Sequence, residues 1–251
     1  MTATEPDGYG EVSKPVFVAD TTTSGYILNL RGAVFGSYDI EGTIYSTLAV
    51  IVATTPAIGI EAYATDYSLW LYYSSTGWKL KGEQVIARTT LSGAASSIAS
   101  GTLPVIPNGF QLRIVWEVQN DTAANMSTNI RFNGDSGTNY SRHYFYSYNN
   151  GATIAAGTET AQTIIVVGTH GNESANRWDR GQFHVDDYIA TDRHKVAQGE
   201  AIAHGNLGTT SLLYRFSGVW GSTAAITSVT LHAGTNNFVA GSKFTIFATS
   251  V

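Results

Sequence analysis

Ile130-Arg131-Phe132-Asn133-Gly134-Asp135-Ser136-Gly137-Thr138-Asn139-Tyr140 sets a strand against a turn within one short stretch. Ile130 and Phe132 flank Arg131, the alternation of a strand with one buried face. Asn-Gly-Asp-Ser-Gly then halts it. Gly134 and Gly137 accept positive φ, and Asn133 or Asp135 can bond the backbone just ahead. The chain resumes in His143-Tyr144-Phe145-Tyr146-Ser147-Tyr148, alternating again, with three tyrosines on one face. Strand, polar loop and aromatic strand form one unit, and the unit predicts an all-β fold.

The same pattern extends outward in both directions. Phe110, Leu112, Ile114, Trp116 and Val118 line one face against Gln111, Arg113 and Glu117, the clearest strand signal in the chain. Leu91 to Ile98 precedes it. Beyond the central unit come Thr163 to Val167, Gly181 to Ala190, Leu212-Tyr214-Phe216 with Arg215 outward, Ala225 to His232, and Phe244 to Ala248. Gly- and Asn-rich turns separate them, as in a two-sheet sandwich. Val196 to Ala203 is the only weak helical candidate. Nearer the N-terminus, Leu69 to Tyr73 and Trp78 read as a hairpin around Ser74 to Gly77. Leu48 to Val52 is an apolar run too short for pattern to tell a strand from another core segment. The expected organisation is an extended arm over 1–15, a small β module over 16–85 and a β-sandwich domain over 89–251. A polar joint at Lys81 to Arg88 lies between the last two.

Composition narrows the function. The chain has 251 residues, enough to bury a substantial core. Its 43% apolar content excludes a disordered chain. Only 13% is charged and the net charge is −5, so no basic stripe is offered to a phosphate backbone and no nucleic-acid partner is expected. Cysteine is absent, which removes disulfides and thiolate metal sites. The N-terminal residues show neither a basic start nor an apolar core, so no secretory signal is expected there. No run approaches the roughly 18 apolar residues of a membrane span, and no membrane insertion is expected.

Chemistry is sparsely signalled. The six histidines show no HExxH spacing, and neither a Gly-x-Ser-x-Gly elbow nor a phosphate-binding loop is present. His184 and Asp186 share one strand face and Asp187 takes the other, a solvated arrangement rather than a ligand set. Paired carboxylates for glycoside cleavage depend on separation in space, which sequence does not give. Asn133-x-Asp135-x-Gly137-x-Asn139 alternates oxygens like a calcium loop but lacks the distal glutamate, so it reads as a turn held by its own side chains. No cofactor, no metal and no enzymatic activity are expected. Tyr140, Tyr144, Tyr146, Tyr148 and Trp178 are the candidate contact residues: flat rings stack on sugar faces, and serve equally well against another subunit or sheet.

Three stretches carry a resemblance. The segment 131–140, RFNGDSGTNY, the hairpin AYATD…LWLY…GW over 62–78, and AITSVTLHAGTNNFVAGSKFTIF over 225–247 resemble β-sandwich proteins of tailed-bacteriophage virions. The strand Gly181 to Tyr188 matches the same family. Phe247-Ala248 departs from the family's usual Tyr-Gly ending. The resemblance covers roughly Leu91 to Phe247 and implies a jelly-roll-like antiparallel β-sandwich in a virion assembled in the host cytoplasm. It implies a structural component of a tail fibre, minor tail protein or tail appendage, contacting other virion proteins and possessing the option of host-surface glycan binding. A homo-oligomer follows, a trimer being favoured. Capsid decoration or a head fibre is the runner-up, and a glycan depolymerase the third reading. Within the arm, Glu5, Pro6, Tyr9 and Pro15 are the candidate virion anchor, because a polar, proline-bearing segment has too little apolar surface to fold alone.

Overall fold

A computed structural model describes residues 18–20, 25–27, 44–106, 110–121, 126–148, 153–170, 178–204 and 211–250. The chain divides into two compact units, Met1–Trp78 and Lys79–Val251. The fold is all-β, as the alternating patterns predict, with a small N-terminal module and an antiparallel sandwich.

The first sheet has six strands in sequential order. They are β1 (Val18–Asp20), β2 (Gly25–Ile27), β3 (Ile44–Ser46), β4 (Glu61–Ala64), β5 (Leu69–Ser74) and β6 (Gly77–Leu80). β3 and β4 run parallel, and the crossover between them carries the helical turn α1 (Leu48–Val52). The apolar run at 48–52 is therefore helical. Its start is fixed from outside: the Leu48 N–H donates to Asp66 Oδ1 at 2.9 Å, while Leu48 and Ile51 are buried. A cap supplied from 18 residues away is invisible to local periodicity. The expected hairpin forms β5 and β6. Ser74 Oγ accepts from Thr76 N and donates to Gly77 O, closing the turn. Trp78 packs edge-on to Tyr73 at 5.3 Å and donates its indole N–H to Thr54 O.

The second unit stacks two sheets. Its strands are β7 (Gln84–Thr90), β8 (Ser97–Ala99), β9 (Phe110–Val118), β10 (Met126–Phe132), β11 (Tyr140–Tyr148), β12 (Thr153–Gln162), β13 (Ile165–His170), β14 (Asp179–Val185), β15 (Lys195–His204), β16 (Ser211–Trp220), β17 (Val229–Ala233) and β18 (Lys243–Ser250). The large sheet has the order β12-β11-β16-β15-β14-β9-β18-β7, and the small one β13-β10-β17-β8. β13 packs across β15 and β16. Leu112, Ile114, Trp116 and Val118 of β9 face inward as the sequence predicts, and all are buried. Trp116 needs a gap opposite it. Gly181 on the paired strand supplies the gap, since a Cβ there would stand 2.0 Å from the indole.

Three expectations change. Lys81 to Arg88 is more than a joint, because β7 begins at Gln84 and pairs with β18 along one edge of the large sheet. Val196 to Ala203 is not helical but the body of β15. It pairs on both sides, and its burial alternates, with Ala197, Ala201 and Ala203 inward and Val196, Gln198 and Ile202 outward. Two ladders outweigh the helix preference of Ala, Gln and Glu. Of Leu91 to Ile98, only the end enters a strand, β8, while Ala95 makes a lone bridge to Phe238.

The stretch 131–140 is the corner that carries the chain from the small sheet (β10) to the large one (β11). Asn133 and Gly134 take φ of +53° and +67°, the left-handed pair for which Asn and Gly are suited. Asn133 also fastens the corner to the C-terminal motif. Its Oδ1 accepts from the N–H groups of Thr227 (2.7 Å) and Ser228 (3.1 Å), and its Nδ2 donates to Ala225 O (2.7 Å).

Candidate functional site

Among the described residues, the aromatic side chains singled out from sequence do not form an outward platform. Tyr140 is 1% exposed; its hydroxyl accepts from Phe132 N at 3.1 Å and donates to Asp135 O at 3.2 Å. It is a core residue, and the expectation that it contacts a glycan or subunit is corrected. Burial pushes its phenol up to about 12. Tyr144 and Tyr146 share its inward face and are half-buried. They stack nearly parallel with Tyr214, at ring separations of 5.9 and 6.4 Å. Arg142 lies over the Tyr144 ring and pairs with Glu159 at 2.7 Å. Alternation put Tyr144 and Tyr146 on one face correctly; that face is the inner one. Trp178 is half-buried, with its ring against Gly241. The side chain of Tyr148 and the anchor residues Glu5, Pro6, Tyr9 and Pro15 lie outside the described residues.

The corner loop is satisfied internally. Asp135 Oδ1 accepts from Gly137 N (2.8 Å), and Oδ2 accepts from Asn139 Nδ2 (2.9 Å) and Trp220 Nε1 (2.7 Å). These bonds, led by that of Trp220, hold the carboxyl below its ordinary range. A cation would have to displace N–H donors from both oxygens. His184, Asp186 and Asp187 do not converge either. Asp186 accepts from the Gln111 side chain, and Asp187 pairs with Arg193 at 3.0 Å. Among the described residues, no three His, Asp or Glu side chains come together to hold a metal.

The outer face of the large sheet is different. Register aligns Thr158, His143, Ser217, Gln198, His184, Arg113 and Phe247 in one row across the strands. The adjacent row runs Ala156, Phe145, Arg215, Glu200, Gln182 and Val115. An open groove of about 730 Å³ follows these rows over β11, β16, β15, β14 and β9. That volume falls within the ~300–1,000 Å³ of small-ligand clefts. Five strands span about 19 Å at ~4.8 Å per spacing.

Two arginines are held in fixed poses. Arg113 binds Glu83 through Nε and Nη2, both at 2.6 Å, and lies 4.2 Å over the Phe247 ring. That bond holds the Glu83 carboxyl below its usual value and raises the guanidinium. Arg215 donates to Glu200 Oε2 through Nε (3.2 Å) and Nη2 (3.0 Å), and Gln182 Nε2 donates to Glu200 Oε1 at 3.4 Å. His143 Nδ1 lies 3.0 Å from Thr158 Oγ1. The outward placement of Arg113 and Arg215 was readable from alternation. Their alignment with His184, Gln198 and His143 was not, because it depends on the pairing order of five strands.

No protein-family model matches the chain, and no curated protein matches it. Among solved structures it is similar to a mutant of alginate lyase Aly36B in complex with alginate tetrasaccharide, at 12% identity and a TM-score of 0.25, over 72% of this chain and 83% of that one. The expectation that the chain has no enzymatic activity is withdrawn on that finding. At this TM-score the similarity carries no activity over to the chain either.

Proposed function

We propose that the protein is a structural component of a tailed-phage virion, in a tail fibre or tail appendage, whose large sheet binds host-surface glycan in its outer groove. The observation that carries the glycan reading is the row Ser217, Gln198 and His184. These are polar side chains projecting from adjacent strands of a rigid sheet, with no hydrogen-bond partner among the described residues. Such groups match the alternating donors and acceptors of sugar hydroxyls, and strands hold them more firmly than loops do. The virion reading rests on the resemblance of residues 131–140 and 225–247. Asn133 joins those two motifs at one corner of the fold.

Two measurements test the two halves. Antibody labelling of purified particles should place the protein on the tail, and its absence from particles would refute the virion assignment. Purified protein should bind a member of a panel of bacterial surface polysaccharides, with periodate oxidation of the sugar diols abolishing the signal. Binding unchanged by periodate, or to none of the panel, would refute the glycan assignment.

A further inference from the structure

We infer that the groove takes a carboxylate-bearing glycan, in which sugar acids meet Arg113 and Arg215. This deepens the glycan reading above and rests on it. The chain as a whole is acidic, with 19 carboxylates against 14 Lys and Arg. The groove departs from that balance. Its lining contains two arginines and two histidines but one carboxylate, Glu200. Glu83 answers Arg113 from beside the lining, so an anion entering the groove meets no uncompensated negative charge.

The arginine poses also need a reason. The Arg215–Glu200 pair is well exposed, at 58% and 38%, and the Arg113–Glu83 pair at 33% and 38%. Ion pairs this wet add little to stability. What they do is fix a planar fork. Each glutamate occupies Nε and Nη2, so Nη1 of each arginine stays without a partner among the described residues. A pre-set guanidinium loses less freedom when it donates to a ligand carboxylate, and that lowers the cost of binding.

Spacing separates this ligand from other polyanions. Measured across the strands, Arg113 and Arg215 sit three spacings apart, about 14 Å, with Arg113 at the end of the hydroxyl-matching row and Arg215 in the row next to it. A nucleic acid carries about one charge per 1.7 Å of duplex axis and calls for a denser array of cations. A sugar polymer with acids set apart by hydroxyl-bearing carbons fits the sparse pair. Phe145, 43% exposed at the β11 end, offers an apolar ring for a sugar face.

The test is calorimetric titration of the intact protein with three oligosaccharides of equal length: one of hexuronic acid, one of sialic acid and one of neutral hexose. At least one acidic oligosaccharide should bind tenfold or more tightly than the neutral one, and raising salt should narrow the difference. The double variant Arg215→Gln/Glu200→Gln should lose at least tenfold for the acidic ligand. Lys243→Gln, a cation elsewhere on the same sheet face, should change little. Equal affinity for neutral and acidic ligands, independent of salt, would overturn the acidic class and leave the groove reading standing. Binding of none of the three would overturn both.

Discussion

The indole N–H of Trp220 donates to the Asp135 carboxylate at 2.7 Å, joining the last residue of β16 to the corner between β10 and β11. The Trp220 ring also packs 5.7 Å from Phe132 and stacks on Tyr140 at 6.4 Å. One side chain therefore anchors both the apolar and the polar half of the corner. Because Asp135 is held below its ordinary value of ~3.9, its contribution to stability is complete above that value. It is lost as pH falls through the lower folded value. Asp135→Asn should cost about 1–2 kcal/mol at neutral pH, with the gap from wild type closing as pH drops below ~4. Thermal melts across that window check it, and a gap that widens in acid would be the wrong sign.

Calcium should leave the melting temperature unchanged. Both Asp135 oxygens already accept N–H donors, and a bound ion would raise the melting point by mass action. A calcium-dependent rise removed by chelator would show that the loop opens to take the ion.

The Trp116–Gly181 contact should be severe when filled. Gly181→Ala places a methyl where the indole already lies, and overpacking of this kind costs about 1–3 kcal/mol. Trp116→Ala should cost about 3–5 kcal/mol. In the double variant the two penalties should add to less than their sum, since the smaller residue at 116 relieves the clash. Denaturant unfolding measures this, and simple additivity would mean the indole had already moved aside.

His232 gives a second acid signature. It lies half-buried in β17, and burial, reinforced by Arg131, holds its imidazole below the usual value. The unfolded chain binds the proton more readily, near pH ~6.5. Stability is therefore complete above that pH and is lost as pH falls through the lower folded value. His232→Gln should flatten the melting-temperature slope just below pH 6.5, and an unaltered slope would assign it to another group.

How much of this was legible depends on the range of the cause. β9 announced itself because Phe110 to Val118 alternate without interruption, and the corner because Asn133-Gly134 is a local turn signal. α1 did not, since its cap comes from Asp66. β15 carried helix-forming residues, and only its two neighbours made it a strand. Tyr144 and Tyr146 were placed on one face by sequence, but that this face meets the second sheet follows from Tyr214 beside them, whose hydroxyl donates to Val166 O of β13. The groove is the extreme case. It gathers Arg113, His143, His184, Gln198 and Arg215 from strands whose order, β11-β16-β15-β14-β9, scrambles the chain.

Ser217 offers the most direct test of the groove as the ligand site. It is exposed within the row, between His143 and Gln198, so Ser217→Trp fills the groove without touching the core. Titrating wild type and variant with the carboxylated oligosaccharide, beside a melting curve of each, should show binding lost in the variant and the melting temperature retained. A variant that melts like wild type and still binds with wild-type affinity would place the ligand elsewhere and contradict the account.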